Sequence, residues 1–288
     1  MTIPKKIDLH MHSTVSDGSN TPAELLDCVR QTGLELFALT DHDAYKGSVQ
    51  MIDLLREDDP GFITGVEFSC RDEEGQYHIL GYGYDPQSVP IRQVVDNGHR
   101  VRMEKLHVRL AFLRDRFGFR FPEEELQKLT SLDNPGKPHI GNLMVKYGYA
   151  ESKNQAIKEY INQLHLKDEY LRPEEAIRGI LASGGIPVLA HPVYGSGDQL
   201  ILGEEMEQRL QRLMGFGLQG VEAYYSGFTS KLRSMMLELA HRYGLYVTAG
   251  SDYHGTNKLI PLGDTGLEDA SRGPEELQRF LREVHRAK

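Results

Sequence analysis

Histidine and carboxylate side chains stand at the ends of short apolar segments along the whole chain. The first such segment ends in His10-Met11-His12, and because alternate residues of an extended strand share one face, its two imidazoles point the same way. Asp252 and His254 repeat this spacing after another apolar segment. The recurrence predicts a metal centre that holds more than one ion. Its candidate ligands are His10, His12, Asp17, His42, Glu67, His78, His191, Asp252 and His254.

The residue types in this set narrow the identity of the metal. A histidine at a strand end is more often an ordinary hydrogen-bonded residue, but buried acids such as Glu67 and Asp252 need a compensating charge. Few lysines or arginines lie near them in the sequence, so we favour metal ions over salt bridges. Imidazoles and carboxylates without a thiolate suit Mn, Fe or Zn better than Ca or Mg. We therefore expect two to three divalent ions, with Mn preferred and Fe or Zn as alternatives.

The charge of such a centre indicates an anionic substrate. Two or three divalent ions carry more charge than Asp17, Glu67 and Asp252 together, so the centre is expected to be net positive. A hydroxide held between two metal ions is also a strong nucleophile at neutral pH. Both properties favour the hydrolysis of a phosphate ester by attack of metal-bound hydroxide.

Apolar strands alternate with helical segments and predict an α/β fold. A first helix is expected to begin after the N-cap Thr21 and to end at Gly33, and residues 77–84 are expected to pair with residues 62–70 as a hairpin. Most candidate ligands follow the C-terminal ends of strands, where (β/α) barrels build their sites. Because the sequence contains neither a P-loop nor a Gly-rich dinucleotide motif, we favour a distorted, TIM-like barrel over an open sheet.

The middle of the chain differs from the rest. Residues 91–172 are strongly charged and poor in strand signals, and Val101 and Leu106 belong to an apolar pattern with helical spacing. We interpret this stretch as a helical insertion that serves as a lid or a substrate subdomain. The barrel itself is expected to comprise residues 1–90 and 173–288.

Composition excludes several classes of function. A net charge of -9 without a basic stretch argues against a protein that grips long duplex nucleic acid. The sequence has only 2 cysteines and therefore no disulfide framework. No apolar stretch approaches the roughly 20 residues of a membrane span, and the first residues lack the apolar segment of a signal peptide. We expect a cytoplasmic protein without membrane contact, and the composition leaves its oligomeric state open.

The order and spacing of the motifs resemble the PHP (polymerase and histidinol phosphatase) family of phosphoesterases. The resembling motifs are His10-x-His12, Asp17, Thr40-Asp41-His42, Gly65-x-Glu67, His78, Ala190-His191-Pro192 and Ser251-Asp252-x-His254. The resemblance implies a distorted (β/α)7 barrel with a site for three ions. It also implies one ligand group for each ion: His10, His12, Glu67 and Asp252 for the first, Glu67, His78 and His191 for the second, and Asp17, His42 and His254 for the third.

A second resemblance concerns the substrate. The segment Gly136-Lys137-Pro138-His139 is similar to the Arg-Pro-His motif of a bacterial subgroup of this family that acts on nucleoside 3′,5′-bisphosphates and RNA 5′ ends. Lys137 stands where that motif has arginine, which keeps a point charge but not a bidentate contact. Cations at a helix N-terminus form a ready phosphate site, so Arg102, Lys137 and His139 are the expected substrate phosphate-binding residues.

The expected activity is hydrolysis of a phosphomonoester, above all that of a small nucleotide such as a nucleoside 3′,5′-bisphosphate. Asp252 and His191 are the expected catalytic residues, with Asp252 or a metal-bound water protonating the leaving oxygen. Asp43 and Glu222 are expected to orient the ligands. Alternative substrates are histidinol phosphate, a cyclic sugar phosphate and an RNA 5′ end. The alternative from a different class is a non-catalytic, metal-binding regulatory module.

Overall fold

Seven short strands form a single sheet whose order follows the chain. The computed structural model describes residues 3–132, 135–164, 170–195 and 199–287. Strand β4 runs antiparallel to both of its neighbours, and the other adjacent pairs are parallel. The strands are β1 (Ile7–Asp8), β2 (Leu36–Leu39), β3 (Gly61–Asp72), β4 (Gly75–Tyr82), β5 (Ile186–Leu189), β6 (Gly220–Tyr225) and β7 (Tyr246–Gly250).

The first and last strands come together and nearly close the sheet into a barrel. The amide of Leu9 donates to the carbonyl of Ala249 at 2.9 Å, and the amide of Asp252 donates to the carbonyl of His10 at 2.8 Å. The predicted distorted α/β barrel is therefore confirmed. Its distortion is the β3–β4 hairpin, which the sequence pattern also predicts. Because β4 runs backwards, its early residue His78 lies beside Ser69 of β3 rather than at the far end of the barrel.

Helices connect the strands and cover the barrel. Helix α1 begins as expected, since Thr21 and Glu24 form a capping box, and Gly33 ends it with a left-handed φ of 68°. No helix within the described residues is long and apolar enough to cross a membrane. The helices are α1 (Pro22–Thr32), α2 (Lys46–Leu54), α3 (Val89–Phe117), α4 (Glu123–Thr130), α5 (Lys137–Lys146), α6 (Lys153–Gln155), α7 (Pro173–Ala182), α8 (Gly203–Phe216), α9 (Ser230–Tyr243) and α10 (Glu275–Glu283).

The end of the chain packs against the barrel core. Phe280 of α10 is fully buried, and its ring meets those of Tyr82 and Tyr246 at centroid distances of 5.4 and 6.0 Å. The amide of Ala287 then donates to the carbonyl of Phe62 at 3.0 Å. Since Phe62 lies at the start of β3, these contacts cover the barrel at the edge opposite to the strand ends that carry the candidate ligands.

Helix α3 belongs to two hydrophobic cores. Its first half contributes Ile91 and Val94 to the core of the barrel, and its second half contributes Leu106 and Leu113 to a separate core of the middle segment. Burial of these apolar side chains stabilises both units. The division of the chain at residues 90 and 172 stays a prediction, and one continuous helix of 29 residues connects the two cores.

Candidate metal centre

The nine candidate ligands converge at one edge of the barrel. His10 and His12 follow β1, His42 follows β2, and His191 follows β5. The remaining positions use the hairpin and the loops, so that Glu67 and His78 lie within β3 and β4. The local backbone is unusual at two of the nine, because His191 and Asp252 have φ angles of 26° and 58°. For residues other than glycine this left-handed region is uncommon and often marks a functional site.

Glu67 stands at the middle of the cluster. It is 1% exposed, and five imidazoles surround its carboxylate. Atom Oε2 lies 3.3, 3.2 and 3.2 Å from nitrogens of His10, His12 and His42. Atom Oε1 lies 2.8 Å from Nδ1 of His78 and 3.2 Å from Nε2 of His191. One carboxylate thus faces two separate groups of histidines.

Asp252 shares the first of these groups. Its Oδ1 atom lies 3.5 Å from Nε2 of His10 and 3.4 Å from Nε2 of His12, so two carboxylates flank the same pair of imidazoles. The backbone makes room for this approach at Gly250. A Cβ atom there would lie 2.2 Å from Cβ of His10 and 2.5 Å from Oε1 of Glu222. Only glycine allows β1 and β7 to come this close.

Asp17 forms the third group with His42 and His254. Its Oδ1 atom lies 3.2 Å from Nε2 of His254, and its Oδ2 atom lies 4.0 Å from Nε2 of His42. The Nδ1 atom of His254 faces the backbone carbonyl of Asp252 at 2.9 Å. With Nδ1 donating to that carbonyl, the lone pair of Nε2 is available to an ion beside Asp17.

The unsatisfied polar atoms of the cluster fit metal ions. Within the described residues, Nε2 of His10, Nε2 of His12, Oδ1 of Asp17 and Oε2 of Glu67 are buried and lack a hydrogen-bond partner. Two ligand atoms that each lie about 2.1 Å from one ion, at angles near 90–110°, are about 3.0–3.4 Å apart. Four of the five separations around Glu67 lie in this range, and the contact of 2.8 Å with His78 is shorter. Three groups have ligand atoms close enough to share an ion: His12, Asp17, His42 and His254; His10, His12 and Glu67; and His42, Glu67 and His78.

Buried charges set the protonation of the cluster. Burial alone would raise the pKa of Glu67, but the neighbouring imidazoles, first His42 and then His10, outweigh it and hold the pKa well below its usual range. Burial lowers the pKa of His42 to about 4, against the opposing effect of Glu67 and Asp17. At neutral pH Glu67 is therefore ionised and His42 is neutral. These are the forms that bind a metal ion.

Glu222 orients two of the histidines. One oxygen of its fully buried carboxylate lies 2.9 Å from Nδ1 of His10. The other accepts a hydrogen bond of 2.8 Å from the backbone amide of His191. A carboxylate on the second ring nitrogen fixes the orientation of an imidazole and increases its basicity.

Asp43 connects the cluster to the insertion. Its carboxylate contacts the guanidinium of Arg102 and accepts a hydrogen bond of 2.9 Å from the amide of Ser69. Arg102 also donates to Oγ of Ser69 at 3.1 Å. The amide of Asp43 donates to the carbonyl of Glu67 at 2.9 Å. Arg102 is therefore held in place at the side of the cluster.

Further cations surround a cavity of about 400 Å³ that opens from the cluster towards the insertion. All three expected phosphate-binding residues, Arg102, Lys137 and His139, line it, together with Lys105 and Arg109. Sequence reasoning missed the last two. Both could have been predicted from the spacing of Arg102, Lys105 and Arg109, which places three cations on one face of α3.

Lys258 was also missed, and it corrects one premise of the sequence argument. We expected few cations near the candidate acids, yet the ammonium group of Lys258 contacts Oδ2 of Asp252. The hydroxyl of Tyr225 donates to the same oxygen at 2.9 Å. Lys258 follows Asp252 by six residues, so its position in the sequence was a sufficient signal.

Comparisons with known proteins agree with this geometry. The model of the PHP domain family matches residues 8–171. The 5′-3′ exoribonuclease of Haemophilus influenzae is 29% identical over 262 residues, which are 90% of this chain and 93% of that protein. The 3′,5′-nucleoside bisphosphate phosphatase of Chromobacterium violaceum is 28% identical over 255 residues, or 86% of this chain and 87% of that protein. A putative metal-dependent phosphoesterase from Bifidobacterium adolescentis has a solved structure with a TM-score of 0.80 and 26% identity, covering 96% of each chain.

Proposed function

Because the chain belongs to the PHP domain family, we propose that it is a metal-dependent phosphoesterase that removes a phosphate group from a small nucleotide. A nucleoside 3′,5′-bisphosphate is the preferred substrate. The cofactors are two to three divalent ions, with Mn²⁺ the first candidate and Fe or Zn the alternatives. A histidinol phosphate, a cyclic sugar phosphate or an RNA 5′ end is the alternative substrate.

One observation carries this proposal: buried ligand atoms face one another around Glu67 without hydrogen-bond partners among the described residues. Leaving such atoms unpaired in the interior costs on the order of 1–3 kcal/mol each. Divalent cations remove that cost and fit a donor set of imidazoles and carboxylates. A regulatory module without turnover would not need a complete ligand set beside an open cavity.

Each residue of the centre has a defined task in this proposal. When bound, the ions supply a nucleophile from water at neutral pH and neutralise charge on the phosphoryl oxygens. Glu67 holds two ligand groups at a fixed separation through its two oxygens. Glu222 fixes the ring of His10 and the backbone of His191. The substrate therefore meets a centre whose geometry is set before it binds.

The leaving oxygen must receive a proton, and the surroundings of Asp252 favour water over this residue as the donor. Burial would raise the pKa of Asp252, but the nearby imidazoles, first His10 and then His12, outweigh burial and hold the pKa well below its ordinary value. Its Oδ2 atom also accepts from Tyr225 and Lys258. We therefore assign Asp252 and His191 to holding the ions and the substrate in position.

The cavity towards the insertion supports a substrate with a second phosphate. Burial and the nearby Arg109 lower the pKa of Lys137, and burial together with Arg102 lowers the pKa of Arg109 against the opposing effect of Tyr170. Such shifts mean that these cations are destabilised by one another and by desolvation. A phosphate between them relieves both costs, whereas a monophosphate bound only at the metal centre leaves them in place.

The activity is tested with a chromogenic phosphomonoester and added Mn²⁺. We expect the wild type to hydrolyse it, and His10→Ala to lower kcat/KM by about a hundredfold or more, because the variant loses a ligand of one ion. His241→Ala is the matched control, since His241 is an exposed histidine of α9 paired with Glu276. Equal rates for the wild type and His10→Ala would assign the hydrolysis to another site.

The substrate is tested by comparing adenosine 3′,5′-bisphosphate with AMP and with histidinol phosphate. We expect the highest kcat/KM for the bisphosphate. Lys137→Ala should raise its KM by about tenfold and leave the KM of AMP nearly unchanged, since one charge-assisted hydrogen bond is worth about 1.5–3 kcal/mol. Lys146→Ala, in the last turn of the same helix, is the control. A preference for histidinol phosphate, or equal effects of Lys137→Ala on all three substrates, would favour the alternative substrates.

A further inference from the structure

Lys258 lies beside Asp252 in the loop that follows β7. Its ammonium group contacts Oδ2 of Asp252 and donates to the hydroxyl of Tyr225 at 3.1 Å. The side chain is 33% exposed and lines a second cavity of about 460 Å³, which also contains Glu67, His191 and His254. Neither the metal ligands nor the predicted phosphate-binding residues include this lysine.

The hydrogen bonds of Lys258 leave one donor for a ligand. A lysine ammonium carries three N–H groups, and two partners in the described residues, Asp252 and Tyr225, take two of them. The two contacts hold the nitrogen at a fixed point on the wall of the cavity. Because the side chain is partly exposed and lines the same cavity as Glu67, His191 and His254, the third N–H group is available to a ligand in that cavity.

The net positive charge of the metal centre also favours an anion next to Lys258. With two or three divalent ions bound, Asp17, Glu67 and Asp252 no longer balance the charge, so a further cation is repelled by the ions. The two carboxylate oxygens of Asp252 have different partners. Oδ1 faces His10 and His12, and Oδ2 faces Lys258. An anion held jointly by the ions and Lys258 removes the repulsion that this arrangement otherwise creates.

We propose that Lys258 is a phosphate-binding residue of the metal centre, whose ammonium group contacts a non-bridging oxygen of the phosphoryl group that the ions hold. This assignment rests on the proposed phosphoesterase function. Tyr225 and Asp252 act as positioning residues for the ammonium group. Lysine is suited to this role because it acts as a point charge and needs no bidentate geometry.

The test measures metal content and phosphate affinity separately in the Mn-loaded protein. Lys258→Met keeps the length of the side chain and removes its charge, Lys258→Arg keeps the charge, and Lys231→Met changes an exposed lysine of α9 as the control. Elemental analysis gives the ions per chain, and calorimetric titration gives the affinity for inorganic phosphate. Steady-state kinetics on a chromogenic phosphomonoester gives kcat and KM.

We expect Lys258→Met to keep its ions, to bind phosphate about 10- to 100-fold more weakly and to raise KM by a similar factor. Lys258→Arg should recover part of the affinity, and Lys231→Met should match the wild type. Unchanged phosphate affinity in Lys258→Met would overturn the assignment. A loss of ions from Lys258→Met would overturn it too, since the lysine would then serve only to hold Asp252.

This experiment separates the inference from the function on which it rests. If the Mn-loaded wild type hydrolyses no phosphate ester, the proposed function is wrong, and the assignment of Lys258 to a reacting phosphoryl group is overturned with it. If the wild type is active and Lys258→Met binds phosphate as tightly as the wild type, only the inference fails. The phosphate titration does not depend on turnover, so the two results can be read independently.

Discussion

Glu67→Gln should lower kcat/KM by on the order of a thousandfold or more and should release ions from two of the three groups. The substitution keeps the size of the side chain but removes its charge, and both carboxylate oxygens face histidines, three at Oε2 and two at Oε1. Loss of an orienting residue beyond the ligands already costs about 10- to 100-fold in metal affinity or activity. Substitution of a residue that faces two ligand groups should therefore lower metal affinity and activity by more than this.

Two measurements check the result for Glu67→Gln: elemental analysis of protein purified without chelator, and kinetics with saturating Mn²⁺. Glu204→Gln, at an exposed position in the first turn of α8, is the matched control and should behave like the wild type. Circular dichroism would verify that the variant folds. A Glu67→Gln protein with full metal content and near-normal activity would disprove the assignment of this residue to two ligand groups.

Removal of the ions with a chelator should abolish activity and lower the melting temperature. A ligand present at a hundred times its dissociation constant stabilises the folded state by about 2.7 kcal/mol per site. For a chain of this size that corresponds to a melting temperature roughly 5–10 °C lower for each ion that is lost. Addition of Mn²⁺ should restore both properties, and an addition of Mg²⁺ at the same concentration should restore less, because the donor set is rich in nitrogen.

Metal removal should also be coupled to proton uptake. In the metal-free cluster, burial lowers the pKa of His12, but the nearby carboxylates of Asp252 and Glu67 outweigh burial and raise the pKa to about 10. The ring therefore carries a proton at neutral pH and must lose it when an ion binds. Metal affinity should consequently increase with pH between 6 and 9. Calorimetry in buffers of different ionisation enthalpy would measure the released protons, and a pH-independent affinity would contradict this coupling.

The motifs of the sequence were sufficient to predict the family and the barrel, and both are confirmed. His10-x-His12 and Asp252-x-His254 lie in single short segments, so local spacing alone determines that each pair shares a face. The hairpin partner of β3 was visible because residues 77–84 form an apolar run after a turn. Such patterns can be predicted from the sequence because they depend only on residues that are close together along the chain.

Contacts between distant residues could not be predicted in the same way. Arg102 contacts Asp43 only after the insertion has packed against the barrel, and Lys137 lies near Arg109 only after the helices of the insertion have packed together. The role of Gly250 depends on how closely β1 approaches β7. Lys258 is different: it lies close to Asp252 in sequence, but in the loop after β7 rather than at a strand end, where the pattern of candidate ligands is found. The assignment of individual ions to ligand groups stays a prediction.

Helix α3 cannot gain or lose single residues between the two hydrophobic cores without disturbing one of them. An α-helix turns by about 100° and rises by 1.5 Å for each residue. One residue added or deleted between Val94 and Leu106 would therefore rotate Leu113 out of the second core, or Ile91 out of the first. Related sequences can exchange side chains along this helix, but changes in length must fall in the loops that follow it. The cations of α3 thus keep a constant angular position relative to the barrel wherever this helix is continuous.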